Sequence, residues 1–168
     1  ISEASQGSIA NIQEVLEGKA GFGIAQANVL YSAEKGKGLW EGQPQNNLRA
    51  VLGLYTEDYT VVAAADAGIE TLADMKGKTV NIGEPGSTDA FTAAGVFEHV
   101  GLDPQDVTIL EKPTYEAAEL MEAGKIHAYL YTVGPPNLSI IEAASGERKI
   151  LIVPLPKEMI EHFSKTRP

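Results

Sequence analysis

Apolar residues recur along this chain at two alternating periods, and the alternation predicts the elements. From Ser8 to Glu17, Ile9, Ile12, Val15 and Leu16 share one side of a helix, with Ser8 as N-cap and Gly18 as stop. Ala20 to Ala25 predicts a small-residue strand that leads into Gln26-Ala27-Asn28-Val29-Leu30-Tyr31. Residues 34–47 are polar and glycine-rich, hence an exposed loop, with Trp40 as a packing anchor inside it. Leu48 to Tyr55 and Tyr59 to Ala65 are apolar and partly β-branched, which predicts two strands. Thr71-Leu72-Ala73-Asp74 is a capping box for one short helix ending before Gly77.

Val80 and Ile82 then alternate as in a short buried strand, and Gly83, Pro85 and Gly86 turn it. Ser87, Thr88 and Asp89 favour a helix N-cap, and Ala90, Ala93, Ala94, Phe97 and Val100 form an apolar stripe that stops at Gly101. Val107 to Leu110 predicts a strand, Tyr115 to Ala123 a helix and Ile126 to Tyr131 a strand. Thr132-Val133-Gly134-Pro135-Pro136-Asn137 breaks that strand, and a helix follows over Leu138 to Ala144. Ile150 to Val153 is a strand bounded by prolines, and a last helix starts at Lys157. Strands and helices alternating at these lengths mean an α/β fold with a largely parallel sheet.

A weak internal echo adds to this picture. The run from Val15 to Ile24 resembles that from Leu120 to Leu130: each is a helix, a Gly-Lys stop and an alternating strand. Each strand ends in polar groups, Gln26, Asn28 and Tyr31 in the first and Thr132, Gly134 and Asn137 in the second. The repetition suggests two lobes on one plan, with equivalent strand ends facing a cleft. Ligands of open α/β sheets bind outside the carboxyl ends of strands, so these tails are candidate contacts.

The segment Lys78 to Asp89 has two readings. It is either an ordinary strand-to-helix turn with a good cap, or a cradle whose free backbone N–H groups and positive dipole end hold a small anion. At 168 residues and 43% hydrophobic, the chain suffices for one sizeable core or two small lobes. No apolar run approaches the length of about 18 residues that a spanning helix needs. The absence of cysteine excludes disulfides and thiolate metal sites. A net charge of -10 argues against nucleic-acid binding, which needs a basic face. Ile1 in place of an initiator Met, and the close on Lys165-Thr166-Arg167-Pro168, suggest a piece of something longer.

Several catalytic signatures fail on spacing. Gly77-Lys78-Thr79 looks like the end of a P-loop, but Leu72 stands where the motif needs glycine, and the segment precedes a strand instead of following one. Glu158-Met159-Ile160-Glu161-His162 resembles an inverted zinc-protease helix with Glu158 in place of its first His. His99, His127 and His162 are dispersed, and His127 reads as a core or edge histidine. Neither a Gly-x-Ser-x-Gly elbow nor a cysteine nucleophile is present.

The whole chain resembles the solute receptors of TRAP transporters of the TAXI type (TRAP-associated extracytoplasmic immunogenic proteins). The shared landmarks are Gln6-Gly7-Ser8, Gly23 to Val29, Leu48 to Tyr55, Gly68 to Lys78, Gly83-Glu84-Pro85-Gly86-Ser87 and Thr132 to Asn137. The resemblance implies a two-lobed, type II periplasmic-binding-protein-like α/β fold, truncated at both ends, with no chemistry and no cofactor of its own. Residues 1–58 would form part of the first lobe plus a hinge strand, 59–150 the second lobe, and 151–168 a return crossing. It implies a periplasmic receptor that binds a small organic acid, carboxylate or amino acid, and hands it to TRAP membrane subunits.

In that reading Ser87, Thr88 and nearby backbone, including Gly86, hold a carboxylate. Gln26, Asn28 and Tyr31 add polar contacts from the first lobe, where Ser8 opens its helix toward the cleft. Thr132, Gly134 and Asn137 close the far wall. The family's turn usually reads Gly-Ser-Gly-Thr, whereas this chain has Gly86-Ser87-Thr88-Asp89. Asp89 therefore either marks a different ligand or points away and caps. The alternative function on the same fold is the effector-binding domain of a LysR-type transcription regulator, which would need a helix-turn-helix before Ile1.

Overall fold

Val61, Val62, Ala63 and Ala64 are consecutive and all buried, as only a strand covered on both faces can be. In the computed structural model, which describes residues 5–85 and 87–166, they belong to β1 (Asp58–Ala64), near the middle of a five-stranded sheet. β1 pairs antiparallel with β4 (Ala128–Val133) and with β5 (Ile150–Ile152). β2 (Thr79–Asn81) pairs parallel with β4 and with β3 (Thr108–Leu110), giving the order β3-β2-β4-β1-β5. Every strand except β1 runs the same way, so the expected largely parallel sheet is present with one reversed strand inside it.

The pairing directions bring the carboxyl ends of β2, β3 and β4 and the amino end of β1 to one end of the sheet. Helix α3 (Thr88–Val100) leaves from that end, and α4 (Ala117–Glu122) and α5 (Leu138–Ser145) complete the cover. Val80, Val96, Phe97, Met121, Ile126, Tyr129 and Leu130 fill the core. The α3 stripe is rotated slightly from the expected one: Ala93, Val96 and Phe97 are inside, while Ala94 is exposed. The Thr71–Asp74 box is formed, with the Asp74 carboxylate accepting both the Thr71 amide and its hydroxyl at 2.8 Å. It opens a short 3-10 turn over Leu72–Met75.

Tyr55–Met159 forms one compact unit, and the described residues up to Leu54, with those from Ile160, form another. α6 (Lys157–Thr166) begins in the first of these and ends in the second. The smaller unit is built on α1 (Ser8–Leu16) and α2 (Ala27–Lys35), which bury Ile12, Val29 and Ala33 beneath Ile9, Leu16, Ala25, Trp40 and Leu48. Trp40 is thus the anchor expected of it.

Three expectations for this unit are corrected. Residues Ala27 to Tyr31 open helix α2 instead of trailing a strand, because Val29 and Ala33 make a helical pair that polar neighbours mask in sequence. The N-cap of α1 is Gly7, not Ser8, and Ser8 is buried with its hydroxyl accepting the Gln26 amide at 3.0 Å. Neither Ala20–Ala25 nor Leu48–Tyr55 is a strand, and Phe22, Ile24, Val51, Leu52, Leu54 and Tyr55 are exposed. Alternating apolar residues make a strand only where a neighbouring backbone accepts and donates hydrogen bonds, and no described segment does so there. The internal echo therefore holds for the helix stops but not for the strands. Lys19 donates to the Glu14 carbonyl and Lys125 to the Leu120 carbonyl, both at 2.9 Å, yet only the second stop feeds a strand.

Candidate functional site

The turn between β2 and α3 is built around Gly83, which has φ +89°. A Cβ at Gly83 would lie 2.9 Å from both the Asp89 Cβ and the Ser87 Oγ, so only glycine lets the first turn of α3 fold back over the strand end. Ser87 then caps α3, accepting the Ala90 amide on its hydroxyl at 3.2 Å. Among the described residues, no acceptor meets the amides of Thr88 and Asp89, as expected of the first turn of a helix. Thr88 is buried at this terminus. Gly86, the remaining expected contact of this turn, lies outside the described residues.

Asp89 does not cap. Its carboxylate turns onto the sheet, where Oδ1 accepts the Thr132 amide at 2.9 Å and Oδ2 accepts the Thr114 hydroxyl at 3.4 Å. Burial pushes the Asp89 carboxyl above the usual carboxylate range, and the bonds from Thr132 and Thr114 pull the other way. Glu57 adds a further upward push. None of the ion pairs among the described residues involves Asp89.

Two hydroxyls at the same place have no hydrogen-bond partner. Tyr59 and Thr132 are directly opposite in the β1–β4 register and so share a face of the sheet. The Tyr59 Oη and Thr132 Oγ1 are both buried and unpartnered. The Thr132 hydroxyl acts electrostatically on the Asp89 carboxylate without reaching hydrogen-bond geometry. Burial first, and the Asp89 charge second, hold the Tyr59 hydroxyl well above its ordinary value. Tyr129 is pushed up to about 12 by burial.

The other expected contacts have local roles. Asn137 caps α5, its side-chain oxygen accepting the Ile140 amide at 3.1 Å. At Gly134 a Cβ would lie 3.1 Å from the Thr56 carbonyl, so glycine there admits the chain that enters β1. Ser8, Gln26, Asn28 and Tyr31 belong to the smaller unit. There Asn28 accepts the Val29 amide, and Tyr31 carries the Lys35 and Lys37 ammonium groups over its ring at 5.9 and 5.1 Å. The groups that gather at the end of the larger sheet are therefore Ser87, Thr88 and Thr132, together with Asp89, Tyr59 and Thr114.

Tyr59 and Thr114 carry no signal in the sequence, because their place depends on strand register and on a loop between β3 and α4. The described residues contain no cluster of side chains able to hold a metal ion, and no helix long and apolar enough to cross a membrane.

A sheet with one reversed strand, and a helix N-terminus at the carboxyl ends of its parallel strands, is the type II periplasmic-binding-protein-like architecture. The chain belongs to the NMT1-like family, whose model it matches over residues 1–168. Its fold is similar to that of the GluR0 ligand-binding core from Nostoc punctiforme, solved in complex with L-glutamate. That match has a TM-score of 0.56 at 20% identity and covers 91% of this chain and 61% of that one. An ancestral arginine-binding protein bound to arginine matches with a TM-score of 0.48 at 16% identity, over 92% of this chain and 80% of that one. The periplasmic aliphatic sulphonate binding protein SsuA of Escherichia coli matches with a TM-score of 0.46 at 20% identity, over 58% of this chain. The chain spans 31% of the length of SsuA.

Proposed function

We propose that this chain is the ligand-capturing part of an extracytoplasmic solute receptor that binds a small organic acid, carboxylate or amino acid, and delivers it to a TRAP transporter in the membrane. The observation that carries the reading is the start of α3. The Thr88 and Asp89 amides have no acceptor there, the Ser87 hydroxyl holds the cap, and the whole sits at the carboxyl ends of β2 and β4. Oriented N–H groups and the positive helix end stabilise an anion without any nearby lysine or arginine. The ordered landmarks shared with the TAXI-type receptors support the choice of a TRAP partner.

In this reading the protein performs no chemistry. Its binding energy comes from hydrogen bonds to a carboxylate that are strengthened when water is excluded. A thermal-shift panel of amino acids, 2-oxo acids and C4-dicarboxylates on the full-length protein tests it. At least one class should raise the melting temperature, and Ser87→Ala should weaken that ligand about five- to tenfold, the worth of one hydrogen bond. Stabilisation by none of the three classes would sink the proposal.

A further inference from the structure

Resting on that reading, the corner beside the α3 N-terminus narrows the ligand. An ammonium presents three N–H donors and no acceptor. The Asp89 carboxylate is partly buried, accepts from one amide and one hydroxyl, and pairs with no cation among the described residues. Beside it, the Tyr59 and Thr132 hydroxyl oxygens are buried with no partner, a condition that costs free energy unless something fills it.

We propose that the Asp89 carboxylate, with the Tyr59 and Thr132 hydroxyl oxygens, receives the ammonium of an amino-acid ligand whose carboxylate lies on the Thr88 and Asp89 amides. The placement follows from the backbone. Asp89 bonds the Thr132 amide at 2.9 Å, Thr132 faces Tyr59 across the strands, and Asp89 directly follows Thr88 in the first helical turn. An anion subsite and a cation subsite on adjacent residues match the short separation of the two charges in an α-amino acid. A sulfonate or a simple carboxylate would leave the Asp89 charge and both hydroxyls unanswered.

The test uses the full-length protein and calorimetric titration with paired probes: L-amino acids and the same acids without the amine, such as L-glutamate with glutarate and L-alanine with propanoate. The amine-bearing member of a pair should bind at least tenfold more tightly. Asp89→Asn keeps an acceptor for the Thr132 amide but removes the charge, and should erase that preference while leaving the glutarate or propanoate affinity unchanged. Tyr59→Phe keeps the ring and removes only the hydroxyl, so it should reduce amino-acid affinity a fewfold even if the Asn variant folds poorly.

Equal binding of both members of a pair, or an amino-acid preference that survives both substitutions, overturns the ammonium site and leaves the organic-acid receptor standing. Binding of neither member of any pair overturns both. Retained hydroxyl-dependent affinity for propanoate alone would show that a water occupies the corner, and it also overturns the proposal.

Discussion

Asp89 Oδ1 accepts the amide hydrogen of Thr132 at 2.9 Å, joining the first turn of α3 to the last residues of β4. The two residues are far apart in sequence, and their bond brings the helix cap and the strand end into one corner. The carboxylate makes this join without a cationic partner, which has a consequence for stability.

The groups facing Asp89 are the Thr132 amide and hydroxyl, the Thr114 hydroxyl, the Tyr59 and Tyr131 rings and Glu57, and none is positive. Burial raises the folded-state pKa of Asp89 above its ordinary 3.8. Between those two values the folded protein holds more protons than the unfolded chain, so this group's contribution to stability falls as pH rises through the window. Asp89→Asn keeps the acceptor and removes the titration. Thermal melts of the ligand-free protein from pH 3.5 to 8 should show the Asn variant gaining on wild type as pH rises. A wild type that gains on the variant instead would mean that the fold stabilises the charge.

Asn81 is the buried polar residue of β2, and it is fully satisfied. Its amide donates to the Lys112 carbonyl at 3.1 Å and its side-chain oxygen accepts the Lys112 amide at 2.9 Å, so it extends the β2–β3 pairing by one side-chain rung. Asn81→Ala should cost about 2–3 kcal/mol in urea unfolding, because both backbone groups of Lys112 lose partners in a part-buried place. Asn81→Asp should cost more, since it sets a second acceptor and a buried charge against the Lys112 carbonyl. An alanine variant within about 0.5 kcal/mol of wild type would show that the rung contributes little.

What the sequence makes legible follows from where the stabilising partner lies. α3 and its caps were readable because Ser87, the stripe through Ala93 and Phe97, and Gly101 act within one helix. β1 was readable because its run of Val and Ala is buried on both faces and needs no alternation. Leu48 to Tyr55 has equally good strand composition and forms none, since strand formation depends on a second backbone that composition does not report. The same holds at the site. Ser87 and Thr88 could be picked out from local capping chemistry, whereas Tyr59 and Thr114 enter only through register and loop closure. Asp89 was visible as an anomaly, but its direction was not, because a first-turn aspartate can cap or turn inward with the same sequence.

Arg148 shows how a surface-looking charge can be structural. Its guanidinium meets Asp66 through Nε at 3.1 and 3.3 Å and Nη2 at 2.9 Å, while Nη1 donates to the carbonyls of Met121 at 2.8 Å and Ile126 at 2.9 Å. The arginine side chain is 18% exposed and the aspartate 68%. The exposed half of the arrangement is the ion pair, which solvent and salt weaken. The inward half fixes the end of α4 to the start of β4 by charge-assisted bonds to part-buried carbonyls. Arg148→Met, which preserves length but not donors, should therefore cost about 2–3 kcal/mol and do so nearly independently of salt. Asp66→Asn should have the smaller effect. The Arg148 bond holds the Asp66 carboxyl below its ordinary value, so what the pair adds is present above the unfolded pKa and lost as pH falls through the folded one. Urea midpoints at low and high salt separate the halves, and an Arg148→Met cost that vanishes in high salt would assign the stabilisation to the ion pair instead.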